Sequence, residues 1–419
     1  MLKKSAWISG SIATVTTIAA AIAVIPAWAD SNTAASHHHT PKNVILMIGD
    51  GMGAGHRQAI RLSKVGLNGN LEMDNLPISG LVHTSPSDSS ATVTDSAAAG
   101  TAMATGVKTY NGAIAVNHNK QPIPTILERA KQMGKATGLV TTSQITDATP
   151  ASFASHVTNR KEQSEIARQM IEESQPDVLL GGGEDYFYPV GNPGKYPDTD
   201  KQKSSAPSHL VKEAIKNGYT YVSNRKELRQ TTSKKILGLF ANEEMFIQAP
   251  EDEGATYQPV VPLKEMTKKA LYTLNKSKNG FFLLIEEEGI DEMAHNNNSE
   301  LTLKSGQAFD RTVGIVKHYA KKQGDTLVIV VGDHETGGMT IEDEGDSSHP
   351  DESGDGLSQE DGPFPIAHSS KTFIIDWTTG NHTGVDVPLT AMGPGSKRLT
   401  GMYENTTLYD VMYQVLSDR

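Results

Sequence analysis

The chain has no cysteine among its 419 residues. Disulfides, thiolate zinc sites and a cysteine nucleophile are thereby excluded, so any bound metal must rest on histidine and carboxylate. Aromatic residues are scarce, at 6%. Positive charge is in deficit: 38 Lys and Arg stand against 49 Asp and Glu, with no basic tract and a formal net charge of -11. That balance argues against nucleic acid as a specific partner and against an anionic membrane surface. What is present, 37% apolar and 21% charged residues, is the make-up of a globular protein long enough to bury a large core unaided.

Residues 1–29 read as an export signal. Lys3 and Lys4 precede an apolar run from Ala6 to Ile25, which closes on Pro26-Ala27-Trp28-Ala29, a small-x-small cleavage pattern. Cleavage leaves no membrane anchor and places the mature protein in the periplasm or outside the cell. Residues 30–41 form a polar leader in which His37, His38 and His39 are a solvated tract. Residues 42–419 are expected to be one catalytic domain.

From Lys42 onward, apolar runs alternate with helical segments. Val44–Ile48, Val178–Leu180, Phe281–Ile285 and Thr326–Val331 are nearly continuous in apolar residues, as strands covered on both faces are, and Thr137–Thr142 is a further strand candidate. The pattern predicts a three-layer α/β/α sandwich with a large, mostly parallel sheet and surface insertions. A helix is expected over Ile123–Met133. Residues of about 186–258, rich in Pro, Lys and polar side chains, read as an elaboration outside the core. The stretch 342–361 holds nine carboxylates and no Lys or Arg, and reads as an exposed loop without a calcium-binding spacing.

Three apolar runs end in acids: Asp50, Glu286 and Asp333. In open α/β sheets the ligand crevice lies outside the carboxyl ends of the strands, and acids converging there repel unless protonated or bridged by cations. Asp291 and His295, four apart, share one face of a helix. Asp333-His334 is a second half-site, and His382 is the best-placed third histidine, with His349 and His368 read as surface residues beside the acidic stretch. Ser96 opens an Ala-rich segment capped by Thr94 or Asp95, where the helix dipole and free N–H groups favour an alkoxide and a phosphate. No Gly-x-Ser-x-Gly elbow is present, against an α/β-hydrolase.

Six motifs then stand in one order: Gly49-Asp50-Gly51-Met52-Gly53, Thr94-Asp95-Ser96-Ala97-Ala98, Asp147-Ala148-Thr149-Pro150-Ala151, His156-Val157-Thr158-x-Arg160, Gly332-Asp333-His334-Glu335-Thr336-Gly337-Gly338 and His382-Thr383-Gly384. In order and approximate separation they resemble the alkaline phosphatases, from Lys42 to the C-terminus with 186–258 excepted. The resemblance implies two zinc ions and one magnesium ion. Asp291, His295 and His382 match the ligands of one zinc, and Asp50, Asp333 and His334 those of the other. Asp50, Thr149 and Glu286 match the magnesium set, with Asp147 holding a metal-bound water. Among Glu286, Glu287 and Glu288, Glu286 is chosen because it ends the apolar run and stands five before Asp291. Ser96 matches the phosphorylated nucleophile and Arg160 the phosphate clamp. A homodimer and broad phosphate monoester hydrolysis at alkaline pH are implied as well. Glu292 departs from the family, whose members often carry Lys, His or Trp there; either it stands at the crevice mouth, bearing on phosphate release, or it points into solvent or pairs with a nearby lysine. Rival readings are a phosphodiesterase or sulfatase on the same fold, or an exported metal- or phosphate-binding protein without turnover.

Overall fold

A computed structural model of the chain describes residues 42–192, 194–197, 204–251, 253–343 and 359–418. Residues 1–41, read above as an export signal and a leader, and residues 344–358 of the acidic stretch, His349 among them, lie outside the described residues.

Ten strands form one sheet. In chain order they begin with β1 (Asn43–Gly49), β2 (Ile78–His83), β3 (Ala136–Gln144), β4 (Val178–Gly182), β5 (Thr220–Val222), β6 (Ile236–Leu239), β7 (Phe281–Glu287) and β8 (Thr326–Val331), followed by Val387–Met392 and Gly401–Glu404. Their order across the sheet is Gly401–Glu404, β2, Val387–Met392, β8, β1, β7, β3, β4, β6, β5. Val387–Met392 pairs antiparallel with both neighbours, and every other pairing is parallel.

The alternation of side chains along β1 builds two cores. Val44, Leu46 and Ile48 face one side, packed with Ala97 and Met103 of helix α2 (Ser96–Thr105), Leu127 of α3 (Ile126–Gln132), Ala151 of α4 (Ala148–Ala154) and Val411 of the helix Thr407–Ser417. Ile45 and Met47 face the other side, with Ile60 of α1 (Ala54–Val65), Met266 of the helix Leu263–Leu274 and Phe309 of the helix Ser299–Gln323. Helices therefore cover both faces, which explains why these strands carry no polar alternation. This is the expected α/β sandwich. Helix α3 starts later than its periodicity predicts, because Pro124 keeps Ile123 extended and Thr125 with Glu128 closes a capping box.

Two segments differ from expectation. Residues 186–258 do not stand outside the core: β6 and β5 extend the sheet at one edge, and Phe187 and Leu210 are fully buried. The polar composition belongs to the connections, while the short apolar run Ile236–Leu239 supplies the strand. The acidic stretch is not loop at its ends. Thr340–Glu342 and Gln359–Pro365 both pair with Thr372–Trp377 in a three-stranded sheet. Among the described residues, no helix is long and apolar enough to cross a membrane.

Candidate active site

Four adjacent strands, β8, β1, β7 and β3, bring the acids together. Parallel register sets Ile48 of β1 beside both Val331 of β8 and Glu286 of β7, so Asp50 and Asp333 emerge side by side just past the strand ends. Gly51 turns the chain at φ +68°, and a Cβ there would stand 2.6 Å from Asp291 Oδ1. Only glycine gives the backbone that turn and the acid that room. Asp333 Oδ1 accepts from Gly51 N at 3.2 Å and from His334 N at 3.0 Å.

Asp291 and His295 do share a helix, Gly289–His295, and lie 3.3 Å apart. His382 arrives from far along the chain through a two-residue ladder that pairs it with Thr336. His295 Nε2 and His382 Nε2 face each other at 3.0 Å. Each ring also places Nδ1 against a carbonyl, Gly380 O at 2.8 Å for His295 and Thr94 O at 2.9 Å for His382, so the Nδ1 atoms carry the protons. The facing Nε2 atoms then need a cation between them: a proton or a metal ion. Burial lowers the pKa of His295, but Asp291 outweighs it and pushes the ring up to about 9. Burial raises the Asp291 carboxyl, yet the bond from His295 and the imidazoles of His334, His295 and His382 hold it far below the usual range.

His334 is fully buried, its Nε2 3.4 Å from Asp50 Oδ1, 3.2 Å from Asp333 Oδ2 and 3.2 Å from Ser96 Oγ. Burial first, then His382, depress its pKa well below the ordinary value, which keeps the ring neutral. The carboxyl of Asp50 is raised well above its usual range by burial, Asp333 and Asp291. That of Asp333 rises to about 7 by burial and Asp291, and that of Glu286 to about 8, mainly by burial. Asp50 Oδ1, Asp333 Oδ2 and Glu286 Oε1 are buried without a hydrogen-bond partner. Orphaned anionic oxygens beside histidine lone pairs fit metal ions. Two sets, Asp291–His334–His382 and Asp50–Asp333–His334, have ligand atoms all within 4.8 Å of one another.

Thr149 lies in the first turn of α4, with Oγ1 3.5 Å from Asp50 Oδ2. The three consecutive glutamates separate by neighbour. Glu286 acts electrostatically on Asp50 and accepts from Thr141. Glu287 turns to Thr142 and Tyr257, and Glu288 lies among Asp147, Glu292 and Glu244.

Ser96 is the first residue of α2, whose ten residues are all buried and whose N-cap is Asp95, with Oδ1 accepting from Ala98 N at 2.9 Å. Arg160 is carried in by a backbone bond from its N to Gly112 O at 2.8 Å. Its Nη2 reaches both oxygens of Asp147 at 3.2 and 3.1 Å, and Nη1 stands 3.5 Å from Asp95 Oδ2. Burial lowers the guanidinium pKa, but these two acids raise it further, so it stays charged. Asp95 thus caps the helix that Ser96 opens and steadies Arg160, a double role that sequence reasoning missed. Thr336, which donates to Asp291 Oδ1, and Thr141 were also missed, because neither has a signal of its own. His368 is exposed, as expected.

A family model described as alkaline phosphatase matches residues 41–353. The chain belongs to the alkaline phosphatase family. Alkaline phosphatase 4 of Bacillus subtilis is 33% identical, over 90% of this chain and 88% of that protein. The solved alkaline phosphatase of the Antarctic bacterium TAB5 is 32% identical with a TM-score of 0.74, covering 91% of this chain and all of that one (100%). A mutant of that enzyme with magnesium bound in a site termed M3 matches at 31% identity and a TM-score of 0.71, over 91% and 99% of the two chains. The chain is therefore a metal-binding phosphatase of this family, and phosphate monoester hydrolysis is its activity.

Proposed function

We propose that the enzyme hydrolyses phosphate monoesters of broad structure through a phosphoserine on Ser96, at alkaline pH, with two zinc ions and one magnesium ion. Ser96 carries the reading: its hydroxyl opens a buried helix, lies 3.2 Å from His334 Nε2 and borders both acid–imidazole groups. Asp291, His295 and His382 would hold one zinc, Asp50, Asp333 and His334 the other, and Asp50, Thr149 and Glu286 the magnesium, with Asp147 binding one of its waters. When bound, these ions lower the pKa of the serine hydroxyl and of water and neutralise the leaving oxygen.

The residues divide the remaining work. Ser96 Oγ gives its proton to solvent and forms a bond to phosphorus as the ester P–O bond breaks, and the alcohol leaves with a proton drawn from solvent. The N-terminus of α2 stabilises charge on the phosphoryl oxygens. Arg160, held by Asp147 and Asp95, presents its fork to two non-bridging oxygens. Water then cleaves phosphoserine, returning Ser96 and releasing inorganic phosphate. Recognition confined to the phosphoryl group supports broad specificity. The resemblance further supports a homodimer, and residues 1–29 support export to the periplasm or medium without a retained anchor.

The test is an acid quench of metal-loaded enzyme turning over p-nitrophenyl phosphate, followed by peptide mass analysis. A phosphoryl group on the Ser96 peptide is expected, with bis-p-nitrophenyl phosphate turned over far more slowly. An unmodified Ser96 during steady turnover, or a preference for the diester, would overturn the reading.

A further inference from the structure

Positive charge and apolar surface meet in a hollow on the far side of the sheet from the Ser96 helix. Along β7, Phe282 and Leu284 pack in the core that includes α2, while Leu283 and Ile285 pack in the other. The same alternation sends Glu287 toward the layer of the helices Leu263–Leu274 and Ser299–Gln323. There Tyr257 donates its hydroxyl to Glu287 Oε2, and its ring backs Gly289, where an added Cβ would stand 2.9 Å away. Held at both places and only 6% exposed, the ring is a fixed wall.

The hollow holds about 420 Å³, within the range of small-molecule sites. Pro259 and Pro262, which have no N–H and a fixed φ, line it together with Tyr257 and Ala308. Lys304, Ala308 and Arg311 fall on one stripe of their helix, and Lys264 closes the rim from the other helix. All three cations are exposed, and among the described residues their side chains have no ion pair or hydrogen bond. None of the lining residues is acidic. Glu265, next to Lys264, is taken by Arg225 and Arg229. Arg311 acts on the charge of Glu287, but that carboxyl is buried and its oxygens already accept from Thr142 and Tyr257. In a chain of net charge -11, three neighbouring cations without partners are an anion-seeking surface.

A bare inorganic anion would meet the cations and leave the apolar floor wet. A ligand with an apolar body and an anionic head uses both surfaces at once. We propose that the hollow is a binding site, distinct from the catalytic one, for a small organic anion. Its apolar body would rest on Tyr257, Pro259 and Pro262, with an oxyanion head among Lys264, Lys304 and Arg311. The guanidinium fork suits two oxygens of such a head, and the lysines add point charges. The site does not depend on the phosphoserine chemistry proposed for Ser96.

The experiment is a fluorescence titration of zinc- and magnesium-loaded enzyme with anilinonaphthalene sulfonate, set beside phenylnaphthylamine, which has the same rings and no sulfonate. Wild type, Lys304→Gln, Arg311→Gln and the double variant are compared at low salt. Wild type should bind the sulfonate saturably and about tenfold tighter than the neutral dye. Each single variant should weaken the sulfonate about two- to fivefold, the scale of one exposed charge pair, and the double variant about tenfold, with the neutral dye unchanged. Turnover of p-nitrophenyl phosphate should stay at the wild-type value in every variant, and the sulfonate should not compete with that substrate. Wild type alone gives a second reading: at high salt the advantage of the sulfonate should shrink to about threefold or less. Equal affinity for the two dyes, an advantage insensitive to salt, sulfonate binding unchanged in the double variant, or competition with p-nitrophenyl phosphate overturns the site.

Discussion

Thr141 and Glu286 stand opposite each other on the neighbouring parallel strands β3 and β7, and Thr141 Oγ1 donates to Glu286 Oε2 at 2.6 Å. The bond fixes one carboxylate oxygen and leaves Oε1 buried without a protein partner. Thr141→Val keeps the strand shape and removes this orientation. Magnesium affinity should fall about 10- to 100-fold, as when outer partners of a metal ligand are lost. Zinc content, read by elemental analysis, should stay at the wild-type value; a parallel loss of zinc would show that Thr141 supports the fold and not one ligand.

Ser96→Ala should lower phosphate monoester turnover by about a thousandfold or more, as removal of a nucleophile does. On the proposed reading Ser96 holds no zinc in the free enzyme, so the zinc content should stay at the wild-type value. Wild-type turnover in this variant would remove Ser96 from the mechanism.

Chelation should abolish activity, and zinc with magnesium should restore it. His382→Ala takes away one of the two facing Nε2 atoms and should weaken one zinc about tenfold or more, using the outer-partner cost as a lower bound. Equilibrium dialysis against buffered zinc reads this directly. Full activity in metal-free protein would defeat the two-metal reading.

His156 gives a pH dependence unrelated to the metals. Its Nδ1 lies 2.9 Å from Ala115 O and its Nε2 3.1 Å from Glu128 Oε1; both partners are acceptors, so the ring is held as imidazolium. Burial lowers its pKa, but the bonds to Glu128 and Ala115 outweigh this and raise it overall. The stabilisation is fully present below the unfolded value, about 6.5, and is lost as pH rises through the higher folded value. His156→Gln should therefore cost about 1 kcal/mol more at pH 6 than at pH 9. Equal costs in denaturant titrations at the two pH values would exclude a charged His156.

Among the described residues, Glu292 neither lies open to solvent nor pairs with a lysine. It is half-buried, and burial and then Asp291 push its carboxyl up to about 8. Above that pH, where the carboxyl is ionised, Glu292→Lys should replace repulsion of bound phosphate by attraction. Phosphate inhibition should tighten about two- to fivefold on a solvent-screened charge scale, and turnover should drop where release is limiting. An unchanged inhibition constant at matched pH and ionic strength would make Glu292 irrelevant to release.

The sequence by itself determined five neighbouring strands of the sheet, the strand-end acids, the Asp291–His295 pair and the Ser96 helix, because each depends on residues within one turn or strand of one another. Continuous apolar runs require cover on both faces, and i, i+4 spacing requires one helix face. Only the tertiary structure decided what crosses between segments. Ile236–Leu239 lies among polar connections that mask it, and becomes a strand because it pairs with the edge of β4. His382 enters through a ladder with Thr336, far away in the chain, and Asp95 reaches Arg160 across 65 positions. The three consecutive glutamates show the limit most plainly. Backbone alternation sends their carboxylates different ways, but whether each meets Thr141, Tyr257 or three other acids is fixed by packing, and no local pattern encodes it.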